Sequence, residues 1–313
     1  MSEPLDPYRL PRTVIPVRYA LTLEPDLQTA RFSGSVMIAV EVQEPVEAVW
    51  LNAAELAITS ASIEDVAGQR RPIAEVALHE AQERLRLGLG ALLPVGAYRL
   101  HLAFEGRLNE KLHGFYRSTF HDAQGTEHVI ATTQFETTDA RRAFPCFDEP
   151  DFKAVFGVTL VVPQTQYALS NAPLLEAQSI ADGRRRMVFA DTMKMSTYLV
   201  AFIIGPFAAT EPVDVAGVPL RVVHPLGKGH LTAYALEAGA FALRYFTDYY
   251  GIPYPGQKLD LVAIPDFAFG AMENLGCVTF REVLLLVDPQ QATQPGLMRA
   301  ADVVAHEIAH MCV

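Results

Sequence analysis

Over most of the first two thirds of the chain, apolar residues alternate with polar or small ones, and this period of two is what most restricts the fold. Phe32, Gly34, Val36, Ile38, Val40 and Val42 occupy alternate positions. An extended segment carries them all on one face, whereas a helix would scatter them. The pattern returns at Leu85, Leu87 and Leu89, at Tyr98, Leu100, Leu102 and Phe104, and at Phe156, Val158, Leu160 and Val162. Gly, Pro, Asn and Asp punctuate the intervals. No convincing helical stripe interrupts this up to about residue 210, so residues 1–210 are expected to form a mainly β, largely antiparallel domain.

After Gly205-Pro206-Phe207 the pattern changes. Residues 232–250 contain no Pro, and Leu236, Ala240, Leu243 and Phe246 recur at helical spacing. This predicts a helix of about five turns, stopped by Gly251 and Pro253. Strands are expected at 259–264 and 278–287, then a polar loop over 288–296 and a last helix from about Leu297. Residues 211–313 thus read as the opening of an α+β domain. The most apolar stretch, 198–209, is broken by Gly205-Pro206 and falls well short of the roughly 20 residues of a membrane span. It reads as a buried strand and a turn.

Half of the 313 residues are hydrophobic, enough for a sizeable core. The formal charge of −11, with no basic run longer than Arg184-Arg185-Arg186, offers no footprint for nucleic acid or an anionic membrane and suits a cationic ligand. Three cysteines, Cys146, Cys277 and Cys312, include no Cys-x-x-Cys pair. They argue against a disulfide scaffold and for a reducing, cytoplasmic setting. The start, Met1-Ser2-Glu3-Pro4, does not read as a secretion signal.

The chemistry is concentrated near the end. His306-Glu307-Ile308-Ala309-His310 lies within the last predicted helix. Histidines four apart project from one face and can converge on one ion, with Glu307 beside them. In an H-E-x-x-H arrangement two neutral imidazoles hold Zn²⁺, the metal lowers the pKa of water, and the glutamate accepts the water's proton. Ala300, Ala301, Val303, Val304, Ala305, Ile308 and Ala309 are expected to bury the flanks of the motif. The plainer reading is an Ala-rich amphipathic helix that happens to contain two His and a Glu. Upstream, Gly270-Ala271-Met272-Glu273-Asn274 follows a strand and, alone, would be an ordinary loop.

Taken together, the G-A-M-E-N element and the H-E-x-x-H helix resemble the M1 family of zinc aminopeptidases. The likeness extends to Thr133-Gln134-Phe135-Glu136, to the stretch from Asp139 to Pro150, to Gly114-Phe115-Tyr116-Arg117-Ser118 and to Ala168-Leu169-Ser170-Asn171, in the family's order. It implies a saddle-like β domain followed by a thermolysin-like zinc peptidase domain. It implies that Glu273 and Glu136 grip the α-ammonium of peptide substrates with a free N-terminus, that Glu307 is the general base, and that His306 and His310 hold the zinc. The backbone at Gly270 and Ala271 would hold the peptide, Gln134 and Met272 would line the pocket for its first side chain, and Asn274 would complete the substrate element. Two carboxylates around one ammonium select a free N-terminus over an internal amide. An endopeptidase is disfavoured for that reason.

The family's third zinc ligand, a glutamate farther on, and its oxyanion-stabilising tyrosine would both lie beyond Val313. The resemblance therefore implies a truncated catalytic domain of weak or no activity. Apolar surface near Phe241, Phe246 and the last helix would then be exposed and open to association. The alternative is a non-catalytic product acting as a binding or scaffold module. The charges at Asp139, Arg141, Arg142, Asp148 and Glu149 read as a structural ion-pair network rather than a second catalytic site. The other histidines read as satisfied or exposed, and Cys277 as a small core residue.

Overall fold

A computed structural model describes residues 6, 8–122 and 124–311. Cys312, counted above, lies outside them. The alternating segments form an eight-stranded sheet in the order Leu174–Ile180, Arg184–Phe189, Val155–Pro163, Val14–Asp26, Arg31–Val42, Gly96–Arg107, Ala57–Glu64, Arg70–Pro72. A three-stranded sheet of Val46–Asn52, Arg84–Leu93 and Glu75–His79 and a four-stranded sheet of Tyr167–Ser170, Phe202–Gly205, Glu127–Gln134 and Gly114–His121 accompany it. Residues from all three sheets, among them Tyr19, Leu85 and Phe115, meet in one buried cluster. The sheets are antiparallel except where Val14–Asp26 runs parallel to Val155–Pro163. Tyr19 stacks on Phe156 across that pair, with centroids 4.7 Å apart.

The rest of the chain forms a mixed sheet in the order Phe207–Ala209, Val218–Pro225, Leu259–Ile264, Cys277–Arg281, Ala271–Met272. Helices α1 (Ala233–Tyr250), α2 (Glu282–Leu285) and α3 (Gln294–Ala309) accompany it. The two central pairings are parallel, and Leu259–Ile264 is buried at every residue, as a parallel strand covered on both faces must be. α1 closes at Gly251, whose φ of +67° is a left-handed cap that glycine adopts without a Cβ penalty. Among the described residues, no helix is long and apolar enough to cross a membrane.

Four local expectations are corrected. The strand expected over 278–287 ends at Arg281, and α2 follows. Its register with Leu259–Ile264 ends at Ile264↔Arg281, so later residues have no ladder to join on that side. The last helix begins three residues before Leu297. Thr293 caps it by accepting from the Gly296 N–H, and Pro295 sits in the first turn, where its missing N–H costs nothing. In the apolar stretch 198–209, a 3-10 turn, Thr197–Leu199, precedes two short strands, Phe202–Gly205 and Phe207–Ala209, that belong to different sheets. Finally, the flanks of the metal motif are not uniformly buried: Ala300, Val304, Glu307 and Ile308 face the core, while His306 and His310 are exposed.

Candidate active site

Strand Glu127–Gln134 leads Gln134 and Phe135 into the interior and leaves Glu136 at its exposed end. Phe135 packs in the β core, and the chain turns directly after it, which brings Glu136 to the surface. Glu273 arrives from the other sheet, directly after the short strand Ala271–Met272, which pairs with Phe280 and Thr279 and forms that sheet's edge. The Arg281 N–H donates to the Gly270 carbonyl at 2.9 Å. The Arg281 guanidinium donates to the carbonyls of Phe267 (3.1 Å) and Ala268 (2.7 Å), fixing the approach to the edge strand.

The far side of this loop is held as firmly. Asn171 donates to the carbonyls of Leu275 and Leu199, at 2.9 and 2.8 Å, joining the loop to the 3-10 turn. Gly276 has φ +75°, and a Cβ there would lie 2.2 Å from the Asn171 carbonyl oxygen, so the close approach requires glycine. Tyr116 donates to the Asp266 carbonyl at 3.0 Å and Ser118 to its carboxylate at 3.2 Å. The segments around 114–118 and 168–171 thus position the loop rather than line the site.

On α3, His306 and His310 face each other with Nε2 atoms 3.1 Å apart and rings nearly perpendicular. Two nitrogens on one tetrahedral zinc at about 2.0–2.1 Å would stand about 3.3 Å apart, so the pair is close to ligand geometry. One ligand atom each from Glu273, Glu307 and His310 lies within 4.8 Å of the others. Glu307 is buried, and its pKa is pushed up to about 7 by that burial and then by the charges of Glu273 and Glu136. The Glu136 carboxyl is raised by burial and by Glu273, while His310 acts in the opposite sense. Three carboxylates that repel one another beside His310 suit a cation: Glu273, Glu307 and His310 bring one ligand atom each within reach of a common ion, and Glu136 and Glu273 offer an ammonium two carboxylates.

Met272 is buried and accepts a 3.5 Å contact from the Gln134 amide, whose own oxygen is buried without a hydrogen-bond partner. The two expected pocket residues are therefore neighbours. Asn274 is different: it is buried, and its amide donates to Thr279 Oγ1 at 3.1 Å, which spends it on the turn into Cys277–Arg281. A residue not singled out from the sequence also stands here. Tyr198, on the 3-10 turn, has its phenol raised by burial and then by the charges of Glu273 and Glu136. Its only sequence signal is a lone hydroxyl in an otherwise apolar run.

The charges at 139–149 form a separate, structural network. Arg141 binds Asp148 at 2.9 Å and Glu83 at 3.2 Å, and Arg142 binds Asp139, Glu55 and Glu83. His101 pairs with Glu64 and His128 with Asp122, and Cys277 is fully buried.

Comparison with known proteins shows the family. Residues 15–199 match the peptidase M1 N-terminal domain, and residues 234–313 match the peptidase family M1 domain. The chain belongs to peptidase family M1. Aminopeptidase M1-A of Oryza sativa subsp. japonica is 44% identical over 305 residues, covering 96% of this chain and 34% of that protein. Endoplasmic reticulum aminopeptidase 1 of Homo sapiens is 40% identical over 311 residues (98% and 33%), and the puromycin-sensitive aminopeptidase of Caenorhabditis elegans 40% over 304 (97% and 32%). The chain spans about a third of the length of these M1 relatives.

Proposed function

We propose that this M1 chain serves an aminopeptidase reaction, the removal of N-terminal residues from peptides, with Glu136 and Glu273 binding the substrate's α-ammonium. The observation that carries the reading is the convergence of these two carboxylates, from different sheets, on the end of α3 that bears Glu307 and His310. The first 210 residues would supply Glu136, and residues 211–313 would supply Glu273 and the metal helix. An internal peptide nitrogen carries no charge and would leave two carboxylates desolvated without a partner.

His306 and His310 would hold zinc, which when bound supplies a Lewis acid and a water of lowered pKa. Glu307 would take a proton from the attacking water and return it to the leaving amine. Its raised pKa is that of a group able to hold a proton near neutrality. The peptide backbone would lie along the edge strand at Gly270 and Ala271, with its first side chain against Gln134 and Met272. The unbranched thioether repacks around varied shapes. Asn274 would act through the loop it holds, not by touching substrate. The buried, unpaired thiols of Cys146 and Cys277 suit a reducing, cytoplasmic compartment.

Among the described residues, the one cluster of three ligand atoms draws on Glu273 and Glu307, groups assigned other work. That favours a second reading, in which these 313 residues alone bind metal and peptide but turn over slowly or not at all. Both readings are tested with leucyl and N-acetyl-leucyl anilides. Hydrolysis confined to the free amine, and reduced by about tenfold or more in Glu273→Ala, supports the aminopeptidase; a charged hydrogen bond of about 1.5–3 kcal/mol sets that scale. Equal cleavage of the acetylated compound would refute the amine assignment. Free-amine binding without cleavage would support the second reading.

A further inference from the structure

A cavity of about 450 Å³ lies where three sheets meet: the edge strand Tyr167–Ser170, the paired strands ending at Arg184–Phe189, and Val218–Pro225 with Leu259–Ile264. Its size falls within the roughly 300–1,000 Å³ of small-molecule sites. None of its lining residues is among those assigned to peptide or metal. Leu169, Leu174, Met187 and Phe189 make one wall apolar.

The wall is also cationic, and Arg185 stands on the same strand as Met187 and Phe189. Arg185, Arg221 and Lys258 line it with a single carboxylate, Asp260, which is fully buried. Arg221 grips Asp260 through both oxygens at 2.8 Å, and Lys258, also buried, reaches it at 2.8 Å. Asp260 is thus spent on two cations, and the wall keeps an excess of positive charge on a chain whose net charge is −11. Arg185 has one N–H on the Gln166 carbonyl, while its Nε is buried with no hydrogen-bond partner. That Nε has almost no accessible surface and meets no ligand, but the lining sets three cations against one carboxylate, and a half-enclosed wall with that excess is an anion receptor, because charge-assisted bonds strengthen where water is thinned.

We infer that this cavity binds a small carboxylate with an apolar body, its carboxylate on the Arg185 side and its body against Leu169, Met187 and Phe189. A fork of guanidinium N–H groups matches a carboxylate, and the apolar wall excludes small hydrated anions. The site is independent of the metal helix and of the amine-binding carboxylates.

Calorimetric titration of the 313-residue chain, in chelator so that no metal can take up the carboxylate, tests this with 4-phenylbutyrate, 4-phenylbutylamine and acetate. Saturable binding of phenylbutyrate is expected, with the amine and acetate at least tenfold weaker. Arg185→Gln should weaken phenylbutyrate at least tenfold, and so should Leu174→Glu, which adds an anion at a half-exposed lining position without touching the core. The proposal is overturned if phenylbutyrate fails to bind, if the amine or acetate binds as tightly, or if both folded variants bind phenylbutyrate as the parent does.

Discussion

At the scale of the residue, what matters is which charges are left without partners. Asp260 is buried, which alone would raise its pKa, yet Lys258 and Arg221 outweigh burial and hold it below the ordinary 3.8. A depressed carboxylate stabilises the fold above its unfolded pKa, and the stabilisation is lost as pH falls through its folded one. Asp260→Asn strands two cations and should cost about 3–5 kcal/mol at neutral pH, read by denaturant melts. The deficit should shrink as pH falls below about 3.8, where the parent loses its own contribution. A pH-independent deficit would mean that packing, not charge, is at stake. Glu307 is the opposite case. Its burial and two carboxylate neighbours favour the neutral form, which a buried acid adopts unless a cation joins it.

At the scale of the element, α1 shows what periodicity can and cannot say. The helix and its Gly251 cap are legible from spacing and from one glycine, but of the stripe Leu236, Ala240, Leu243 and Phe246 only Leu243 is fully buried, and the other three flank the buried face. The small residues Ala235, Gly239 and Ala242 lie against the sheet, and a Cβ on Gly239 would meet Leu261 at 2.8 Å. Hydrophobicity alone misleads here because close approach selects size. The aromatic residues face outward: Phe241, Tyr245 and Tyr249 are exposed and stack as a ladder with centroids 5.8–5.9 Å apart. Phe246 is only half-buried. Such a surface is expected to drive concentration-dependent association of these 313 residues, visible by sedimentation. Phe241→Lys with Tyr249→Lys should abolish it; unchanged sedimentation would assign association to another face. On α3 the same limit applies. Spacing puts His306 and His310 on one face but does not say which face meets the core, so the burial of Glu307 and the exposure of both histidines had to come from packing. The strand forecast over 278–287 holds to Arg281 and overruns beyond it for a related reason: composition shows a residue's taste for a strand, not whether a partner strand extends far enough.

At the scale of the whole molecule, the β sheets and the mixed sheet form more than a scaffold. Glu136 follows a strand of one, Glu273 follows an edge strand of the other, and Asn171, Tyr116 and Ser118 tie the two together by hydrogen bonds. Neither half carries both carboxylates. The metal motif and G-A-M-E-N are legible because their chemistry sits in short runs. Tyr198 and the cationic cavity are not, because their members lie far apart in sequence and meet only on folding. The central claim is that two carboxylates from separate sheets read a free amine. Calorimetry on the zinc-loaded chain, comparing leucinamide with N-acetyl-leucinamide, tests this without requiring turnover. The account predicts that leucinamide binds at least tenfold more tightly, and that Glu136→Ala and Glu273→Ala each erase most of the difference. Equal affinity for the two amides, or a preference that survives both substitutions, would contradict it.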